Sequence, residues 1–350
     1  MAEAVTIRML AKIAGVSTAT VSLALRNDPR IRPHVRRRIQ KIATKNNYRP
    51  NPVVASLIAQ VRGSRSAPRQ GTIGMVFTSE ASSNGEMLAL KEWTAAVEAR
   101  ANQLGYGFDR FVLAESKENP RHLAKIIDAR GIRGLIAVGP FLGGMIPSEF
   151  GPVWQRSATI VIGCRPVRPA LSAVSDDHFS TAARAVHEVA RLGYRRPALC
   201  LQSDIDDPEV RKFVGGVWAE QVPLSSQDRI PPFRYKPEAE REFRLWVKRH
   251  RPDVILTLRA EIKDWLGAMG LNTPEDIGLV HLDLTAGLNG WAGIRQHHQQ
   301  IGFAAVDMLI GQLHRNEFGP PPFQKCQLVY GTWIPGETVR EQLAGASLGV

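Results

Sequence analysis

The stretch TIRMLAKIAGVSTATVSLALRNDPRIRPHVRRRIQKIATKNNYRPNPVVASL, residues 6–57, decides how the N-terminal end of the chain folds. Thr6 is placed to cap a first helix in which Ile7, Leu10, Ala11 and Ala14 recur on one face. Gly15 gives the backbone freedom of a tight turn, Val16 is an apolar plug, and Ser17 caps a second helix, TATVSLALRN. Val21, Ala24 and Leu25 share the inner face of that helix, and Asn27-Asp28-Pro29 breaks it. Pro33 opens a third helix; Val35, Ile39, Ile42 and Ala43 close the core, with Arg36, Arg37, Arg38, Lys41 and Lys45 on the outer side. Two short helices joined by a glycine turn form a helix-turn-helix, whose second helix enters the DNA major groove. The residues free to reach base edges are Thr18, Ala19, Ser22, Leu23 and Arg26.

Working outward, charge singles out the same segment. The chain has 350 residues and a net charge of +12. Residues 1–70 carry 14 Lys and Arg against two acids, Glu3 and Asp28, so the remaining residues are electroneutral. A basic module on a neutral body is the electrostatic footprint of a phosphate-backbone binder. Asn51-Pro52 then starts a helix of about two turns, Val53–Val61, too short to be stable alone in water. Gly63 to Pro68 follow as a flexible linker. A marginal helix between two modules is a switch that a partner tips.

Residues 6–57 resemble the DNA-binding head of lactose-repressor (LacI/GalR-type) regulators. The features that carry the resemblance are the AGVS turn (14–17), the TVS that follows it (20–22), and NYRPNP (47–52) before ASL (55–57). The resemblance implies a homodimer on double-stranded DNA, at a pseudo-palindromic operator, with a recognition helix that begins at Ser17. It implies DNA contacts from Thr6, Ser17, Thr20, Arg32, Arg36, Asn51 and Ala55 beside the base-reading positions. It also implies that Leu57, on the hinge helix, wedges between base pairs in the minor groove. Two positions depart from the family pattern. Leu23 stands where many members carry Arg or Lys, which removes a bidentate guanine contact and leaves a side chain suited to a thymine methyl. Arg32 stands where a small capping residue is usual.

From Gly71 the pattern becomes strand, helix, strand. Apolar strands are expected at 72–77, 106–113, 134–138, 158–162, 197–201, 253–258 and 278–281, with helices at 86–104, 120–130 and 179–192. Alternation of this kind implies parallel sheets. The stretches LGYRRPAL (192–199), PEDIGLVHLD (274–283) and GWAGIRQHHQQIGFAAVDML (290–309) are similar to the core of the same family. That core has the two-lobed fold of periplasmic sugar-binding proteins. The expected fold is therefore an all-α helix-turn-helix head with a hinge helix, plus an α/β two-lobed periplasmic-binding-protein-like core with parallel sheets. The expected organisation is a head at 1–61 with the hinge helix at about 52–61, a linker at 62–71, a core at 72–340 and a tail at 341–350. Lobe 1 covers about 72–175 and 293–320, and lobe 2 about 176–292 and 321–340. Chain crossings then fall near 174–178, 290–295 and 318–324.

Ligands of such folds bind between the lobes, at the carboxyl ends of the strands. This places Thr78, Ser79, Gly139, Pro140 and Asp283 at a candidate effector site, with Trp291, Phe233 or Tyr235 either stacking faces for a sugar-like ligand or filler of the core or dimer interface. The resemblance adds Gln296 and puts a ligand-binding cation at Lys212 or Arg211. Asp283 falls on an aspartate that accepts ligand hydroxyls in the family. Arg259-Ala260 replace an Asn-Asp pair, and Gly163-Cys164 replace an aspartate, so the effector differs from the common hexoses and purines. Arg259 points toward an anionic group.

Other classes fit less well. No HExxH, GxSxG or P-loop pattern occurs, no GxGxxG follows a strand, and the adjacent His297-His298 cannot share a helix face as metal ligands. An enzyme, a metal site and a cofactor are not expected. Cys164, Cys200 and Cys326 lie far apart, which fits a reducing cytoplasm, and no apolar run reaches membrane-spanning length. The N-terminus shows no secretory h-region. Two alternatives stay open at this level: a solute-binding protein without a gene-regulatory role, and a ligand-independent architectural DNA-binding protein. DNA retention after removal of residues 1–60 separates the first; flat, salt-driven binding without sequence preference marks the second.

Overall fold

The computed structural model describes residues 7–25, 31–46, 71–77, 88–113, 120–139, 150–163, 169–206, 211–236, 238–285 and 287–342. The chain divides into two compact units, residues 1–70 with 312–317, and 71–311 with 318–350.

In the first unit α1 (Ile7–Ala14), α2 (Thr18–Leu25) and α3 (Pro33–Lys45) enclose one small core. Leu10, Ala11, Ala14, Val21, Ala24, Ile39 and Ala43 are buried there, with Val16, Leu25, Ile31, Val35 and Ile42 packed around them. Helix α1 ends in a Schellman closure: Val16 N donates to Ala11 O at 3.1 Å and Gly15 N to Lys12 O at 3.4 Å. This requires the left-handed φ of +63° at Gly15, which a side chain would oppose.

The second unit holds two six-stranded sheets. Sheet 1 contains β1 (Thr72–Phe77), β2 (Gly107–Val112), β3 (Gly134–Val138), β4 (Ala158–Ile162), β5 (Ser172–Asp176) and β11 (Cys326–Val329), in the order β11-β5-β4-β3-β1-β2, all parallel. Sheet 2 contains β6 (Pro197–Gln202), β7 (Phe233–Tyr235), β8 (Val254–Thr257), β9 (Gly278–His281), β10 (Ala292–Arg295) and β12 (Thr332–Ile334), in the order β12-β10-β9-β8-β6-β7. Only the β10–β12 pair is antiparallel among these described strands. The connecting helices are α4 (Leu88–Gln103), α5 (Pro120–Ala129), α6 (Gly151–Arg156), α7 (His178–Arg191), α8 (Ser203–Asp206), α9 (Lys212–Gln221), α10 (Glu240–His250), α11 (Glu261–Gly267) and α12 (His298–Arg315).

The inner strands are buried on both faces, as parallel sheets covered by helices require, while the edge strands β2, β7, β11 and β12 are partly exposed. In sheet 2, Leu199, Leu201, Val254, Leu256 and Val280 pack with Val189 and Phe213 on the α7 and α9 side. Ala198, Cys200, Ile255 and Leu279 pack with Phe243, Trp246, Ile262 and Leu266 on the α10 and α11 side. The period-two alternation of these positions is what divides the two cores. In sheet 1, Val76, Leu135, Ala137 and Val161 pack against Leu123 and Ile127 of α5 and Val153 and Trp154 of α6.

The chain passes between the sheets three times: from β5 into α7 at 176–178, from β10 into α12 at 295–298, and from β11 to β12 at 329–332. The second and third crossings lie later than the sequence suggests. Strand β10, expected in lobe 1 as part of 293–320, belongs to sheet 2, and β11, expected in lobe 2 as part of 321–340, belongs to sheet 1. The reason is visible in the residues: β11 is an edge strand whose Cys326, Gln327 and Leu328 are exposed, so it lacks the apolar run that marks the inner strands.

Candidate functional site

The first unit presents the helix-turn-helix. Ser17 Oγ accepts a hydrogen bond from Thr20 N at 3.1 Å and lies 2.9 Å from Thr20 Oγ1, so Ser17 caps α2 while it and Thr18 stay exposed. Thr20 and Leu23 are half-buried. The inner face of α2, Val21 and Ala24, is held by the core. Gln40 Nε2 also donates to the last turn of α2 at Ala24 O, 3.2 Å. The arginine run on α3 is not uniformly outward. Arg38 Nη2 donates to Ala14 O at 3.0 Å and fixes the end of α1, and Arg36 is half-buried. Arg32 is exposed in extended backbone before Pro33, and its side chain makes no capping bond to α3. Arg37, Gln40, Lys41, Thr44 and Lys45 line a shallow groove along α3. Thr6, Arg26, Asn51, Ala55 and Leu57 lie outside the described residues, and only the backbone of Ala19 and Ser22 is described.

In the second unit the strand ends converge where the chain crosses between the sheets. Asp176 ends β5 and is 2% exposed; Asp177 caps α7, accepting from Ser180 N at 3.0 Å and Ser180 Oγ at 2.7 Å. Asp177 N donates to Val329 O at 3.0 Å, and His297 Nε2 lies 2.8 Å from Thr332 Oγ1, so the three crossings are laced together. His298, 3% exposed, opens α12. Its Nε2 sits 3.1 Å from both Asp283 oxygens, and its Nδ1 lies 3.9 Å from Asp176 Oδ2. The edge of Trp93, on α4, meets the His298 ring at 5.7 Å. That contact depends on Gly302 one turn along α12, where a Cβ would stand 2.6 Å from Ala96 Cβ and 3.1 Å from Trp93 O.

Three buried polar atoms here have no hydrogen-bond partner: Asp176 Oδ1, His298 Nδ1 and Trp93 Nε1. Burial pushes the Asp176 carboxyl up to about 6, against the opposing pull of His178 and His298. Burial alone would lower His298, but the hydrogen bond to Asp283 and the charges of Asp283, Asp176 and Glu92 together raise it. His281 is lowered by burial, and its Nδ1 accepts from Asp283 N at 3.2 Å.

The sequence-predicted effector residues divide. Asp283 lies in this cluster. Gln296 is buried close by in the chain, with Nε2 donating to Leu282 O at 3.0 Å, so it braces the loop that carries Asp283. Arg259 follows β8 and donates twice to Gln202 Oε1, at 3.0 and 2.5 Å, so its partner is an amide rather than an acid. Lys212 begins α9, half-buried, after Arg211 in left-handed backbone. Trp291 is a correction: it is 9% exposed, sits in the sheet 2 core and turns its edge to His281, so it is filler rather than a stacking face. Phe233 and Tyr235 likewise belong to the aromatic core with Phe243, Trp246 and Trp265. Thr78, Ser79 and Pro140 lie outside the described residues. Asp176, His298 and Trp93 were not foreseen. The one available signal was the Ser-Asp-Asp-His run at 175–178, where strand alternation and a helix start give adjacent aspartates different jobs.

The described residues thus form a helix-turn-helix unit and a second unit of two mainly parallel sheets. Residues 6–51 match the family described as "Bacterial regulatory proteins, lacI family". Over 192 residues the chain is 26% identical to catabolite control protein A of Streptococcus mutans, a match that covers 54% of this chain and 52% of that protein. The chain thus aligns with about half the length of that curated relative. The fold matches the lac repressor dimer bound to operator and the anti-inducer ONPF, with a TM-score of 0.59 and 18% identity, over 97% of this chain and 100% of that one. It also matches a transcriptional regulator CelR–cellobiose complex, with a TM-score of 0.59 and 14% identity, over 95% and 99%. The family match is thus confined to residues 6–51, and the rest of the chain shares a fold with these solved structures.

Proposed function

We propose that this protein is a sequence-specific DNA-binding transcriptional regulator, a repressor. It acts as a homodimer on a pseudo-palindromic operator, and a small hydroxyl-rich effector bound between the lobes sets its operator affinity. The observation that carries the reading is the joining of a lacI-family head, bearing the whole charge excess of the chain, to a two-lobed core with unpartnered polar atoms at its crossings. Basic side chains of the head supply affinity for phosphates. Thr18, Ala19, Ser22, Leu23 and Arg26 read bases, and Leu57 bends the site. In the core, Asp176 Oδ1 is an acceptor and Trp93 Nε1 a donor without partners, the two kinds of group that a sugar hydroxyl complements. Asp283 faces the same cluster, and the structural neighbour solved with cellobiose shares this fold. Effector binding and DNA binding are coupled reciprocally. The protein carries out no catalysis in this reading and works in the cytoplasm. The test is selection of binding sites from random duplex DNA, repeated with a panel of neutral and acidic sugars. An enriched inverted repeat whose recovery changes with one sugar supports the reading; no enrichment under any condition contradicts it.

A further inference from the structure

We propose that His298 is the positioning residue of the effector cleft, an imidazolium spanning from Asp176 of lobe 1 to Asp283 of lobe 2, so that the lobe hinge, and with it effector binding, is coupled to a proton held there. The inference rests on the reading of this cleft as the effector site and adds the proton as a second ligand.

The geometry supports it from four elements. Asp176 closes β5 at the first crossing, and His298 opens α12 at the second. Asp283 follows β9 in sheet 2, and Trp93 on α4 backs the imidazole. His298 meets both Asp283 oxygens at 3.1 Å, an arrangement that orients the carboxylate as well as binding it. Its other nitrogen is 3.9 Å from Asp176 Oδ2. The imidazole and Asp176 are each 3% exposed at the side chain and Asp283 18%, so solvent does not screen the cluster.

The groups facing the site are Glu92 on α4, Asp176 on β5, His178 on α7 and Asp283 after β9. Two more stand behind Asp283: His281, which accepts the amide of that residue, and Arg259, whose charge acts on His281. Among the described residues acids outnumber the fixed cation Arg259 around the ring, which favours the charged imidazole. Loss of the proton leaves two carboxylates facing each other across the hinge without the cation between them, and the tie between lobes weakens. Above the imidazolium range the one remaining N–H stays on Nε2 toward Asp283, so what is lost is the positive charge and the Nδ1–H that faces Asp176.

The experiment is hydrogen exchange by mass spectrometry on the full-length protein, without DNA or sugar, between about pH 6 and about pH 8.5. Exchange is corrected for its intrinsic pH dependence and read in peptides covering the crossings at 171–180 and 292–300. The wild type should lose protection roughly fivefold or more between about pH 7 and about pH 8.5, above the range in which Asp176 ionises, while His298→Gln should show no such loss there and Asp176→Asn a smaller one. A purely structural histidine would change the level of protection and not its pH profile. The same profile in wild type and in whichever variants fold would overturn the inference, as would a flat wild-type profile. With neither ligand nor DNA in the sample, failure here leaves operator recognition untouched, and failure of site selection leaves this profile untouched.

Discussion

The replacement Asp176→Asn offers the sharpest stability test, because the sign and size of its effect both follow from one buried group. Asp176 is 2% exposed, and its carboxyl is pushed from 3.8 to about 6, first by burial. The folded state therefore holds a proton that the unfolded state has released between these values, and stability falls as pH rises. The full stability is present below the unfolded value and has been lost once pH passes about 6. A shift of about two units corresponds to about 3 kcal/mol. Asparagine has the same shape and no such titration. The variant should thus gain on the wild type by about 3 kcal/mol between about pH 4 and about pH 7.5, whatever constant offset the amide brings. For a unit of this size 1 kcal/mol moves the midpoint by about 2–4 °C, so the difference in Tm should climb by roughly 6–12 °C across that range. Scanning calorimetry of both proteins in matched buffers measures it. A Tm difference that stays constant with pH would refute the reasoning, since it would mean that Asp176 titrates alike in folded and unfolded chains.

Other outcomes follow from the same contacts. Ser17→Ala removes the cap of an eight-residue helix and should destabilise the head by about 1 kcal/mol, read as an earlier helical CD melt; Ser17→Asn should restore it, and an unchanged melt in the alanine variant would deny the cap its role. Gly302→Val drives a side chain into Ala96 and the Trp93 backbone, which cannot yield, and should cost roughly 1–3 kcal/mol in urea unfolding; a neutral result would mean that α4 and α12 separate freely. Asp283→Ala should abolish the response of operator binding to an effector sugar while DNA affinity persists, and an intact response would remove Asp283 from the site.

Much of the fold was legible because its signals are local. The three helices of the head follow from apolar spacing and the Gly15 turn, and β3, β4 and β9 are fully buried runs that are apolar but for Thr159 and His281, as suits inner parallel strands. Strand β5, Ser172–Asp176, escaped because serines and a carboxylate interrupt it, although all five residues are buried. The later crossings were misplaced because β10, β11 and β12 are three or four residues long and partly exposed, so periodicity has nothing to grip. The site was harder. Asp283 was reached from its place at a strand end and from the resemblance, but the pairing of Asp176 with His298 joins residues 122 positions apart in the chain, and nothing in a linear pattern brings them together. Trp291 misled because an aromatic side chain near a strand end reads the same whether it faces a ligand or the core.

The central claim is that the basic head reads sequence. It is tested most directly by the affinity of the full-length protein for its selected duplex against a shuffled duplex of equal length and composition, by fluorescence anisotropy at physiological salt. The account predicts a preference of at least roughly a thousandfold, with both affinities falling as salt rises. Equal affinity for the two duplexes would contradict it.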